Sequence, residues 1–438
     1  MDKKQEYCGQ YKAQHIQMSY SNLAKKEQLL CEVYDNGVIL PTKKVNNQLV
    51  WGNGGVMDSD GNYVSLSAQN PPARIDYGYD FENPEYCDKK VVYCGFLSKE
   101  WGHFLLDCTT RLWYCLRNED IDEYVFVHHL GSTGNVLFGN YKEFFRLLGI
   151  LDKVRVITTP TRFKQVYVPE LSYVFRCYWS DEFAQVFDIV AERALEEGAD
   201  GYDKQIKKAF FSRSHFKRAQ ETEAGLEMLD NFFANNGYAI FFPEEMSLSH
   251  TINIIRNADI CAFESGTLPH NMMFAKKGQN TVVVERLSVV NNYQCNVDVI
   301  RSLNTTYIDG HFTIYPVDVH FGPFYLAYNE PFKKFASDYG YLAPDECFMS
   351  EQYKKSCLRK YMKIYRSKYG ESLGIQNWHH LYAPAFFESY VMSMKDLSLY
   401  LSGYKIYSAS QFARWSVIKF QIRRILQKVK RTVISKKH

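Results

Sequence analysis

The chain is predicted to be an α/β protein of two Rossmann-like units facing a central cleft, with a helical C-terminal extension. Three observations carry that prediction. At 438 residues the chain exceeds one ordinary domain. Apolar runs of strand length alternate with helical stretches in two successive series, which means parallel sheets covered by helices. A Gly-containing polar segment, Gly198-Ala-Asp-Gly-Tyr-Asp203, separates the two series. The expected divisions are residues 1–200, 201–325 and 326–438, with no internal repeat.

Residues 1–28 are polar and carry no clear period. From Leu29 to about Ser67 short β-rich runs are punctuated by the turn signals Asp35-Asn-Gly37 and Asp58-Ser-Asp-Gly-Asn62. Residues 68–88, with Pro71-Pro72, read as loop. The first series then begins: a strand at 91–96, a helix from about Lys99 to Arg117, a strand at 124–127 and a helix at 141–148. Strands at 154–157 and 166–168 and a helix from Asp181 to about Glu197 complete it. In the second series, strands are expected at 208–212, 238–242, 260–263, 281–284 and 305–308, with helices at about 221–235, 247–257, 269–276 and 293–302. Asn235-Asn-Gly237 is a helix stop and Ser247 or Ser249 an N-cap. Beyond Pro331 helical stretches are expected near 351–369 and 386–401, in a segment that returns to the first unit.

A net charge of +3 argues against a polyanion binder, and no nucleic-acid-binding module is recognisable. Eleven scattered cysteines, an odd number with no Cys-x-x-Cys, argue against a zinc cluster and a disulfide framework, and for a reducing compartment. Asp58-Ser-Asp60 has the Asp-x-Asp form that can hold a divalent metal, but a hairpin turn explains the same residues, so no metal is assigned. No run approaches the ~20 apolar residues of a spanning helix. The expected location is cytoplasmic. Residues 415–434 pattern as a basic amphipathic helix able to lie on an anionic membrane surface, on the inner face of the plasma membrane.

Three constellations carry chemistry. The stretch Ala258-Asp-Ile-Cys-Ala-Phe-Glu264-Ser-Gly-Thr-Leu-Pro-His-Asn271 reads as a strand, a tight polar loop and a helix opening near Pro269. Gly266 allows close approach to a ligand, and a helix N-terminus suits phosphate. Arg213, in Phe210-Phe-Ser-Arg213-Ser-His-Phe-Lys-Arg218, falls at a strand's carboxyl end on the same rim, where a guanidinium can hold a diphosphate. In Trp101-Gly-His103-Phe-Leu-Leu-Asp107-Cys-Thr-Thr-Arg111, the residues His103, Asp107 and Arg111 recur at i, i+4 and i+8, about 40° apart on a regular helix. There a carboxylate can hold an imidazole as general base, and an Arg can balance charge.

Together, Trp101-Gly-His-Phe-Leu-Leu-Asp107, Ser212-Arg-Ser-His-Phe-Lys-Arg-Ala-Gln-Glu-Thr-Glu223 and Ser265-Gly-Thr-Leu-Pro-His-Asn-Met-Met-Phe274 resemble glycosyltransferase family 61, whose bacterial members include capsular polysaccharide proteins. The resemblance implies a GT-B fold, an inverting mechanism and a nucleotide-sugar donor, with no required metal or other cofactor. It implies that Arg213 and Arg218 meet the donor diphosphate and that Glu223 is the family's acidic position on the following helix. Ser265, Gly266, Thr267 and Asn271 match the phosphate and nucleoside loop, with Glu264 and His270 counted in the same donor set. His103 and Asp107 match the acceptor-side pair. Glu264 stands where many eukaryotic members have histidine. The expected partners are a nucleotide sugar and a glycan or lipid-linked glycan acceptor. The alternatives are a non-catalytic glycan- or nucleotide-binding scaffold and a nucleotide-sugar epimerase or hydrolase.

Overall fold

A computed structural model describes residues 7–41, 44–45, 48–49, 54–69, 84–117, 119–128, 137–198, 205–369, 383–402 and 404. The loop read at 68–88 falls largely outside them, and the basic segment at 415–434 wholly so. Among the described residues no helix is long and apolar enough to cross a membrane. All eleven cysteines are free thiols.

The first unit rests on strands β1 (Cys31–Asp35), β2 (Val38–Leu40), β3 (Gly55–Met57), β4 (Glu85–Leu97), β5 (Glu123–His128), β6 (Val154–Ile157) and β7 (Thr161–Pro169). Their order is β3-β2-β7-β4-β5-β6, and β1 also pairs with β7. Strands β7, β4, β5 and β6 run parallel, and β1 and β2 run antiparallel to β7. The second unit is a five-stranded, wholly parallel sheet of β8 (Lys208–Phe211), β9 (Ala239–Phe241), β10 (Ile260–Glu264), β11 (Asn280–Glu285) and β12 (Asn304–Asp309). Its order is β9-β8-β10-β11-β12. Chain direction across the sheet therefore reverses between β8 and β10, and in open α/β sheets a ligand crevice lies outside the carboxyl ends of such a pair.

The longer helices are α1 (Gln10–Ser21), α2 (Gly139–Leu148), α3 (Asp181–Glu196), α4 (Leu226–Asn235), α5 (Leu248–Asn257), α6 (Asn292–Arg301), α7 (Glu330–Asp338), α8 (Glu351–Tyr369) and α9 (Ala383–Leu397). Ser247 caps α5 by accepting from the His250 amide, as its position before an apolar run predicts. The two units share one apolar core. Phe274, from the second, packs on Phe144 of α2 and Phe187 of α3. Polar contacts clamp the same boundary: Asp188 on α3 accepts from Arg256 at 2.9 Å and from buried Arg301 at 2.8 Å. A boundary so filled and so bonded holds the units in one fixed arrangement.

Two expectations are corrected. The opening residues form α1, which packs against α6 and α9 on the second unit. Its sequence hides it because little of its buried face is apolar: Lys12 and Ser19 are buried beside Ala13 and Ile16. The described chain after 326 packs on the second unit instead of returning to the first. Phe332 and Phe335 of α7 join the cluster of Phe232 and Leu229, and Tyr361 and Tyr365 of α8 join Phe312 and Tyr325. Aromatic surface already at the flank of that sheet decides where these helices dock.

Candidate active site

The loop after β10 and the residues after β8 and β11 meet at the switch point. Arg213 Nη2 donates to Glu223 Oε1 at 2.9 Å, and Arg286 Nη1 donates to the same oxygen at 2.8 Å. Both guanidiniums also lie 3.6 Å from Glu264 Oε1. Both carboxyls are buried. Burial acts against ionisation at Glu223, but Arg213 and Arg286 overcome it and bring its pKa down to about 2. Glu264 goes the other way: burial first, then the charge of Glu223, raise its pKa well above the usual range. Two guanidiniums thus crowd one ionised carboxylate, beside a second carboxyl pushed toward its neutral form.

The guanidiniums face a glycine. Gly266 has φ +145°, and a Cβ there would sit 3.1 Å from Arg213 Nη1 and 3.4 Å from Arg286 Nη2. The backbone is thus bare just where two guanidiniums arrive. Arg286 also lies over the Phe324 ring, 4.2 Å from its centroid. Sequence reasoning missed Arg286. The available signal was its position, the first residue past β11 on the rim already singled out.

The other wall comes from the first unit. After β4 the chain makes one α turn (Trp101–His103), widens into a π turn (Phe104–Cys108) and then tightens over Leu112–Arg117. Such widened turns are frequent at functional sites. His103 Nδ1 and Asp107 Oδ2 are 2.6 Å apart. Tyr293, on α6, donates to both Asp107 oxygens at 3.4 Å, and its ring meets His103 edge-on. Burial pulls the His103 pKa down, but the hydrogen bond and charge of Asp107, with Glu100, outweigh it and the net shift is upward. Tyr293 too was missed, because it reaches the pair from the other unit.

Gly102 lets the walls touch: a Cβ there would lie 2.8 Å from Thr267 Cγ2 and 2.9 Å from His270 Nδ1. Trp101 Nε1 donates to Asn271 Oδ1 at 2.9 Å across the same contact. His270 is buried, and burial, then the charge of His103, lowers its pKa to about 3. Neutral His270 therefore accepts at Nε2 from the side-chain Nδ2 of Asn291 at 3.2 Å. Ser265 Oγ accepts from the Arg286 amide at 3.3 Å, which ties the two loops. An open cleft with about 650 Å³ of empty space, bordered by Trp101, Arg213, Thr267 and Asn271, lies at this junction.

Some predicted residues stand apart. Arg111 does not join the His103–Asp107 pair. The i, i+8 relation assumed a regular α-helix, and the π turn breaks that phase. Arg111 is buried instead, donating to the carbonyls of Pro169, Leu66 and Ala68. Arg218 lies away from the Arg213 cluster, over Phe321 at 4.8 Å. Glu223 is not on a helix: Glu223–Ala224 form a two-residue strand paired with Phe324–Tyr325, between Lys217–Thr222 and α4. The stretch after Thr267 is a seven-residue 3₁₀ helix, too short to supply a helix dipole for phosphate. Asp58 closes its turn by accepting from the Asp60 and Asn62 amides.

The family model described as Glycosyltransferase 61 matches residues 101–284. The chain carries a glycosyltransferase 61 domain. A comparison with curated proteins finds none that matches. The glycosyltransferase 61 match runs from Trp101 to Val284, so it includes His103, Asp107, Arg213, Glu223 and the Glu264–Asn271 loop. Arg286 and Tyr293 complete the geometry from just beyond it. The family places the protein among transferases that pass a sugar from a donor to an acceptor.

Proposed function

We propose that this protein is an inverting, metal-independent glycosyltransferase. It takes a sugar from a nucleotide-sugar donor and passes it to a glycan hydroxyl in cell-surface polysaccharide synthesis. One observation carries the reading: the paired guanidiniums of Arg213 and Arg286 against bare Gly266 lie across the inter-unit contact from a His103–Asp107 pair.

In this mechanism Arg213, Arg286 and the amides near Gly266 hold the donor diphosphate, while Glu223 fixes both guanidiniums. Asp107 holds His103 through Nδ1, and Nε2, which lies 3.5 Å from Glu100 Oε2, accepts the proton of the acceptor hydroxyl. The acceptor oxygen forms its bond to the anomeric carbon as the bond to the diphosphate breaks. That electron pair leaves on the diphosphate, whose charge the guanidiniums stabilise. Attack opposite the leaving group inverts the anomeric centre. The basic segment at 415–434 is proposed to bring the enzyme to a lipid-linked acceptor on the cytoplasmic face of a membrane.

Thermal-shift measurements with a panel of nucleoside diphosphates and nucleotide sugars test the donor site. One nucleotide should raise the melting temperature of the wild type, and Arg213→Ala should abolish the shift. With the donor known, the anomeric configuration of the product tests inversion. Binding and function that survive the double substitution His103→Ala/Asp107→Ala would make the protein a non-catalytic scaffold.

A further inference from the structure

Two adjacent carboxylates follow β9, on the short 3₁₀ turn Pro243–Glu245. They are not equivalent. Glu245 Oε1 is 2.8 Å from His215 Nδ1, and the His215 ring lies flat on Phe242, with centroids 3.6 Å apart. Glu245 is therefore occupied. Glu244 borders the cleft together with Arg213 and Phe216. Its carboxylate bonds to its own backbone, and among the described residues no other side chain hydrogen-bonds or ion-pairs with it. Partial burial, with the neighbouring Glu245 charge, raises its pKa despite the pull of His215 and Arg213, and Arg213 is already held by Glu223.

Position in the sheet gives this carboxylate a meaning. Strand order puts Glu244 at the end of β9, Arg213 at the end of β8 and Gly266 past the end of β10. Neighbouring strands are about 4.8 Å apart, so the three points span roughly 10 Å along the rim. A ligand whose diphosphate lies between Arg213 and Gly266 continues, on the β9 side, over Glu244. A carboxylate only accepts hydrogen bonds, so whatever lies there must donate them. Drying it without donors would be costly, and two neighbouring hydroxyls match its two oxygens.

We propose that Glu244 is a specificity-determining residue that reads the vicinal diol of the donor's ribose. The proposal rests on the nucleotide-sugar reading above and adds which part of the donor lies where. It orients the donor, with the nucleoside over β9 and the transferred sugar toward the contact of Gly102 with Thr267.

The test is calorimetric binding of UDP, GDP, CDP and ADP, and then of the 2′-deoxy and 3′-deoxy forms of whichever binds, to the full chain. Wild type, Glu244→Ala, Glu244→Gln and Glu245→Gln are compared. Loss of one hydroxyl should weaken wild-type binding by about 10- to 100-fold, the scale of a hydrogen bond to a charged group. Glu244→Ala and Glu244→Gln should weaken the ribose form comparably and lose the preference over the deoxy form. Glu245→Gln should keep it. Glu244 is exposed, so its variants are expected to fold. If a nucleotide binds but Glu244→Ala retains the full deoxy discrimination, the Glu244 proposal is overturned and the donor site stands. If Glu244→Ala weakens only the sugar-bearing donor and not the bare diphosphate, the diol belongs to the transferred sugar and the ribose assignment is overturned. If no nucleotide binds the wild type, the donor reading fails and this proposal fails with it.

Discussion

On the second unit's wall, half-buried Arg213 and Arg286 both hold buried Glu223, with buried Glu264 beside them. On the first unit's wall, the His103 side chain is 32% exposed and leans on one buried carboxylate. The first arrangement is a cluster of charges whose geometry is set before any ligand arrives. The second is a titratable group, its ring held by Asp107 and Tyr293 and its outer nitrogen 3.5 Å from Glu100. A wall for a diphosphate has to be preorganised, whereas a wall for an acceptor has to gain and lose a proton.

Substitutions should separate the two walls. The largest effect is expected at His103: His103→Ala should lower turnover by about 10²- to 10⁴-fold while nucleotide-induced thermal stabilisation persists. Because the folded pKa of His103 is raised, turnover should rise with pH through a value above 6.5, and Asp107→Asn should move that value down. Stability runs the other way. The protonated imidazole's contribution is complete below the unfolded value and is lost as pH climbs past the raised folded one. Loss of nucleotide binding in His103→Ala would mean that the walls are not separate.

Next comes Arg286→Ala, which leaves buried Glu223 with one counter-charge. It should cost about 3–5 kcal/mol by denaturant unfolding and remove nucleotide binding. Unchanged stability would show that the cluster does not depend on both cations. Gly102→Ala presses a methyl into Thr267 and His270, for about 1–3 kcal/mol and a fall in turnover through the parted walls. The smallest change is expected at Glu285, whose pKa burial raises to about 7 despite the nearby Lys12 charge. A raised carboxyl binds its proton more tightly when folded, so stability falls between about pH 4.5 and 7. Glu285→Gln should flatten that slope in melting temperature against pH.

The second sheet was legible because each strand is a short apolar run bounded by polar turns, and every predicted strand lies within two residues of the observed one. Arg213 and Gly266 were legible for the same reason: a strand's end names its rim. What escaped depends on contacts distant in sequence. Tyr293 finds Asp107 across 186 residues, and nothing local to either announces the other. The π turn escaped because sequence spacing carries a phase only while the helix stays regular, and Arg111 was misplaced with it. α1 escaped because charge, not an apolar stripe, anchors it.

That anchoring has a consequence for synthesis. The Gly9 amide donates to Asp309, 300 residues later, and the Gln10 amide donates to Glu388, 378 residues later. The ammonium of Lys12 is buried against Asp309 and the Leu287 carbonyl. At about 5–20 residues per second, this segment waits on the order of 15–75 s for its partners to be translated. An apolar helix left open that long would invite aggregation. A polar one, whose buried anchor is a lysine, can wait in water and dock when the last strand of the second sheet and α9 are complete.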